Sequence, residues 1–148
     1  MRNPSKAWRI NARSARSIWG QLSSTTIESL KLLTNRLALS VVAGDLHLLE
    51  NQWYVTHSGL LRIAQRRRCS GIKTIIEDRL SDPLANRWVF KATVYPRPSS
   101  KGFVGYGDAD PSNVSSLMHG AEMRIAETRA VNRALRKNSR GHGFWPVF

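Results

Sequence analysis

The sequence predicts an α+β protein in which an antiparallel β-meander, a β-β-β-α core, packs on a long C-terminal helix, with an additional N-terminal helix and short strands ahead of it. Three observations carry this. Apolar residues alternate at a period of two through 72–77 and 87–95, and 103–107 reads as a third extended segment. A period near 3.6 replaces that alternation after Asp110-Pro111. Both patterns lie in a chain of 148 residues that is 41% hydrophobic, which suits one modest domain with a real core.

Residues 1–22 carry Arg2, Lys6, Arg9, Arg13 and Arg16 among Ser and Ala without a clean apolar period, and read as a flexible basic arm outside the fold. An acid-free, Arg/Ser-rich start also resembles an organellar transit peptide, or an over-long start. Ser24 or Thr25 can cap a helix carrying Ile27, Leu30, Leu33 and Leu37. Two turn signals, Gly44-Asp45 and Glu50-Asn51, then bracket short strands up to Val55. Thr56 or Ser58 opens a helix that turns Leu60, Leu61 and Ala64 inward and Arg62, Gln65 and Arg66 outward, closing near Gly71.

The meander follows. In its first strand Ile72, Thr74 and Ile76 alternate with Lys73, Ile75 and Glu77; in its second, Trp88, Phe90, Ala92 and Val94 alternate with Arg87, Val89, Lys91, Thr93 and Tyr95. Asp110 as N-cap and Pro111 at the first helical position predict a helix from there to about Lys137. Val114, Leu117, Met118, Ala121, Ile125 and Leu135 share one stripe of it, and Met123, Ala126, Ala130 and Ala134 another. Residues 23–137 are thus expected to form a single α+β domain, and 138–148 an irregular, truncated tail.

Charge narrows the function. The chain has 23 Lys+Arg against 10 Asp+Glu, a formal net charge of +13, and such an excess answers a polyanion, usually nucleic acid. The excess is concentrated in residues 1–22, 62–70 and 111–148. No run of about eighteen apolar residues predicts a membrane span. A lone Cys69 allows no internal disulfide and no cysteine-rich zinc site, which suits a reducing, cytoplasmic compartment.

Within the predicted C-terminal helix, Arg129, Arg133 and Arg136 lie along one edge, so three guanidinium groups can track the phosphates of a strand. Arg66, Arg67 and Arg68 can extend that track, and Lys91 with Tyr95 gives the second strand a face suited to a nucleic-acid backbone. Gly105-Tyr106-Gly107 reads as a turn before the helix. It is a weak match to a phosphate-binding glycine loop, since Asp108 and Asp110 put negative charge beside it; the glycines serve better for close backbone packing. Asp108, Asp110, Glu77 and Asp78 could hold the divalent metal of a nuclease, but the second strand lacks an acid in front of Lys91. The Arg66–Arg68 cluster could belong to a helix-turn-helix, although strand-like residues 52–55 precede its helix. The scattered histidines at 47, 57, 119 and 142 suggest no chemistry.

The segment Phe103-Val104-Gly105-Tyr106-Gly107-Asp108, followed by a helix containing Glu127-Thr128-Arg129-Ala130-Val131-Asn132-Arg133-Ala134-Leu135-Arg136-Lys137, resembles the Rad-fifty-two family of single-strand annealing proteins and its bacterial and phage relatives. The resemblance spans roughly 52–137 and is specific over 103–137. It implies a β-β-β-α core, a ring-shaped homo-oligomer, and helix arginines that hold the backbone of single-stranded DNA with its bases exposed. By motif position that role falls on Arg133 and Arg136, and the lysine preceding the first arginine in the family is Asn132 here. The chain ends earlier than the bacterial relatives, as though truncated or frame-shifted. The resulting expectation is a nucleoid-associated protein of recombination or repair that binds single-stranded DNA without sequence preference and anneals strands. It needs no cofactor, no small-molecule substrate and no catalytic residue. A metal-dependent nuclease, a duplex DNA binder of helix-turn-helix type and a non-functional fragment are the alternatives.

Overall fold

The computed structural model describes residues 4–140. It is α+β, with four helices, a two-stranded and a three-stranded antiparallel sheet, and the C-terminal helix packed on the latter. The described residues fall into two compact units, 4–63 and 64–140, with the boundary inside one helix.

The first unit begins with helix α1 (Pro4–Trp19), which replaces the expected flexible arm. Its inward side is small and polar: Ala12 and Ala15 are buried, and so is Asn11. The Asn11 amide donates to Thr34 Oγ1 and to the Leu39 carbonyl, both at 2.8 Å, and its Oδ1 accepts from Val41 N at 2.9 Å. One side chain therefore clamps three points of chain and satisfies buried polar groups at each. Gly20, at φ 79°, ends α1 in the left-handed conformation that glycine adopts without strain. Helix α2 (Ser24–Leu37) packs on α1 and is capped one residue earlier than expected, by Ser23, whose hydroxyl accepts from Thr26 N at 3.2 Å. Leu30, Leu33 and Leu37 are buried.

The expected short strands are β1 (Leu46–Leu49) and β2 (Gln52–Val55). Glu50 and Asn51, both at positive φ, make the two-residue turn between them, whose twist matches that of the strands. Trp53 is buried, donates to the Thr26 carbonyl at 2.8 Å and stacks edge-on with Trp19. Helix α3 (His57–Arg66) follows a strand, not another helix. The Thr56 hydroxyl accepts from Gly59 N at its start. Ile63, not Leu61, is buried beside Leu60. Arg62, expected to point outward, pairs with the fully buried Asp45 at 3.2 Å; that carboxylate also accepts from Ser40 N, fixing the 40–45 loop.

In the second unit β3 (Gly71–Ile76), β4 (Trp88–Tyr95) and β5 (Phe103–Ala109) form the predicted meander in the order β3-β4-β5. Helix α4 (Glu122–Arg140) lies along one face, mainly over β5 and β4. Three expectations change here. Gly105-Tyr106-Gly107 is the body of β5, not a turn. The long helix starts at Glu122, not at Asp110. It also runs on to Arg140, through the start of the segment expected to be an irregular tail; 141–148 lie outside the described residues. Asp110 instead holds a local turn, its Oδ1 accepting from the N–H and hydroxyl of Ser112, while Asn113 Oδ1 accepts from Asp110 N. With those donors satisfied locally the chain does not enter a helix, and Gly120, at φ 93°, delays its start further. Leu117 and Met118, expected on an inward helical stripe, are consequently exposed in a short 3-10 turn.

The two glycines of β5 carry the helix. A Cβ on Gly107 would lie 2.3 Å from both Ala126 O and Ala130 N, and one on Gly105 would lie 2.4 Å from Ala134 N. Ala126, Ala130 and Ala134 are fully buried at this contact. Strand and helix backbones thus meet with no side chain between them, which requires glycine on the strand and alanine on the helix.

Candidate nucleic-acid interface

That close approach sets up a repeat match. Four residues of helix rise about 6 Å, and two residues of strand span about 6.6 Å, so every helical turn along α4 meets every second residue of β5. Cations at the matching helix positions reach the outward carbonyls of the strand. Arg129 donates to Asp108 O at 2.7 Å, Arg133 to Tyr106 O at 2.6 Å and Lys137 to Val104 O at 2.6 Å. The result is a ladder of three positive side chains along the β5 edge.

Its rungs differ. Arg129 also donates to Asn113 Oδ1 at 3.0 Å and Asn113 O at 2.9 Å, so its guanidinium ties the 110–121 connection to α4. Arg133 is freer: its side chain is 54% exposed, with Asp108 Oδ1 at 3.9 Å, a separation long enough to leave both groups largely hydrated. Lys137 is exposed. Arg136 is half-buried on α4.

Alternation along β5 fixes what lies on the other side of the sheet. Gly105 and Gly107 face α4, so Val104, Tyr106 and Asp108 face away from it. Tyr106 stands opposite Lys91 of β4, which stands opposite Ile75 of β3. Tyr106 is 47% exposed, Lys73 and Ile75 are exposed, and Lys91 and Thr93 are half-buried. Tyr95 is half-buried on the same face at the far end of β4. Two phenols and two ammonium groups thus share a sheet face whose β5 margin carries Arg133 and Lys137.

Arg66, Arg67 and Arg68 are exposed where α3 ends, and Arg68 adopts φ 54°. The chain then joins β3 beside the Tyr95 carbonyl, which accepts from Ser70 N at 2.8 Å. The cluster thus precedes, by two to four residues, the point where the chain enters the sheet.

Two of the four acidic candidates, Asp108 and Asp110, have other work. Asp110 pairs with Arg87 at 3.6 Å, and the Ser112 hydroxyl and N–H, with Arg87, hold its carboxyl below the usual carboxylate range. Asp108 Oδ2 accepts from Asn113 Nδ2 at 3.1 Å. Among the described residues no three His, Cys, Asp or Glu side chains form a group able to hold a metal ion. No helix of the described residues is long and apolar enough to cross a membrane.

Sequence reading passed over Lys137, Tyr106 and Lys73. The first was available from the four-residue step that joins Arg129 to Arg133. The other two follow from strand alternation, once Gly105 and Gly107 are read as strand residues. No family model, curated protein or solved structure matches this chain.

Proposed function

We propose that this protein binds single-stranded DNA by its phosphate backbone and promotes annealing of complementary strands, without a cofactor or bond-breaking chemistry. The observation that carries the reading is the half-exposed Arg133, held by the Tyr106 carbonyl on the edge of a sheet face that presents Tyr106 and Lys91. Phosphates run along the β5 edge, neutralised by Arg133 and Lys137, with Arg136 adjoining on α4. A base stacks on the Tyr106 ring. Stacking uses the π-face and leaves the Watson–Crick edge open to a complement. Lys91, Lys73 and Tyr95 continue the surface across the sheet toward Arg66, Arg67 and Arg68. Arg129 keeps the 110–121 connection in place beneath this track. The resemblance over 103–137 supports the same reading, and with it a homo-oligomer in the cytoplasm, on the nucleoid.

Each phosphate neutralised on a single strand contributes roughly 0.7 to the log–log salt slope. Replacing Arg133 and Lys137 together by Gln is expected to lower that slope by about 1.4, measured by fluorescence anisotropy of a labelled oligonucleotide. An unchanged slope removes the β5 edge from the binding surface. In the companion assay two complementary labelled strands are mixed with and without magnesium. Duplex formation with intact strands under both conditions supports annealing, and magnesium-dependent loss of label points to a nuclease.

A further inference from the structure

The first unit carries a second cationic surface that the reading above does not use. Lys6, Arg9, Arg13 and Arg16 recur at steps of three and four residues, so they line one side of α1. All four are exposed, and none has a hydrogen-bond or ion-pair partner among the described residues. The opposite side of α1, with Asn11, Ala12 and Ala15, is packed and buried. Concentrating unpaired positive charge on a folded helix costs self-repulsion, and a polyanion relieves it.

We infer that this row is a binding site for the phosphate backbone of duplex DNA. Ten residues of helix place the first and last cations about 15 Å apart, the axial rise of about four base-pair steps of B-form duplex. The tryptophans of α1 are engaged elsewhere: Trp8 lies under the Lys31 ammonium at 5.3 Å, and Trp19 packs edge-on against His47 and Trp53. The row therefore has charge but no ring with which to stack a base. That suits a nucleic acid whose bases are turned inward. A lipid surface is a poorer match, because the small-residue side of α1 is already spent on packing and only Ile10 and Ile18 remain exposed as large apolar groups. In its biological sense the inference rests on the annealing reading, since duplex is what annealing produces. The binding itself stands apart from it.

The test compares the full chain with a variant carrying Lys6→Gln, Arg9→Gln, Arg13→Gln and Arg16→Gln, glutamine keeping helix propensity close to that of the residues replaced. Salt slopes are measured by anisotropy on a labelled duplex and on a labelled single strand. The duplex slope is expected to fall by about 3.6, or 0.9 for each phosphate no longer neutralised. The single-strand slope is expected to change by less than about 0.7, one phosphate. A second variant, Arg9→Lys with Arg13→Lys and Arg16→Lys, is expected to keep the duplex slope, which separates lost charge from lost folding. An unchanged duplex slope, an equal fall on both ligands, or loss of binding to phosphatidylserine vesicles with duplex binding intact overturns the inference. The Arg133→Gln, Lys137→Gln pair keeps the two proposals distinguishable. If it lowers the single-strand slope while the unaltered chain ignores duplex, only the α1 site falls; if the chain ignores single strands yet binds duplex through α1, only the annealing reading does.

Discussion

The two units solve helix packing in opposite ways. In the first, α1, α2 and the β1–β2 hairpin are separated by large side chains, Leu30, Leu33, Leu39 and Trp53, and the register is set by one buried amide, Asn11. In the second, α4 rests on β5 with backbone against backbone, and the register is set by glycine and alanine. Side-chain packing tolerates rearrangement, because neighbouring rotamers can shift to absorb a change of volume. A backbone contact has no such slack. The second unit is therefore where a functional surface can be held to a fixed spacing, and the cation ladder along β5 sits directly on that contact.

The largest effect tests the rigid side of this contrast. Gly107→Ala puts a methyl group 2.3 Å from Ala126 O and Ala130 N, neither of which can rotate away. The helix must retreat as a body, and a loss of about 3 kcal/mol or more is expected in denaturant unfolding. Hydrogen exchange sharpens the result. Protection is expected to collapse in β4, β5 and α4 and to persist in α2; a uniform loss across both would show that the two units unfold as one.

A smaller effect comes from the first unit. Asn11→Ala leaves Val41 N without its acceptor and the Leu39 carbonyl and Thr34 hydroxyl without their donor, in buried surroundings. Unsatisfied buried groups cost roughly 1–3 kcal/mol each, but the exposed residues 42–44 next to Val41 can give way to water, so a net loss of about 2 kcal/mol is expected. The exchange pattern should then be the reverse of that for Gly107→Ala. A loss larger than that of Gly107→Ala would break the comparison.

The contrast also explains what the sequence made legible. The meander and the Ala126, Ala130 and Ala134 stripe were plain because alternation and the helical period are both direct consequences of burying one face. Gly105-Tyr106-Gly107 carries a local turn signal, and only pairing with β4 extends the strand through it to Ala109. Asp110-Pro111 carries a strong local helix signal, yet the side chains of Ser112 and Asn113 satisfy the turn and Gly120 interrupts the chain. Helix α1 was hidden for the opposite reason. Its inward side is Asn11, Ala12 and Ala15, which carries little apolar signal, while its outward side supplies the charge that suggested a mobile arm. Of the candidate site, the arginine row was visible as helical spacing, but its partners were not, since they are backbone carbonyls and carry no sequence mark.

The smallest predicted effect lies at the start of α4 and probes how the second unit anchors that helix. Glu122 is 1% exposed, and its Oε2 accepts from Gly120 N at 2.7 Å. Burial pushes its carboxyl up, but its own N–H, the Asn86 amide, Gly120 N and the nearby His119 outweigh that and leave it below its ordinary value of 4.5. Because these influences oppose one another, the net stabilisation is the remainder of a partial cancellation. A carboxyl held lower in the folded state than in the unfolded one stabilises fully above the unfolded value, and that contribution disappears as pH falls through the folded one. Glu122→Gln removes the titration while keeping an acceptor for Gly120. The unaltered protein is therefore expected to be the more stable of the two near neutrality, with the difference narrowing on acidification below about pH 4.5. Hydrogen exchange at the first-turn amides of α4, followed in both proteins from neutral pH downward, reads it directly. A difference that instead widens on acidification would mean that burial outweighs the hydrogen bonds, and that α4 is held by its glycine contact alone.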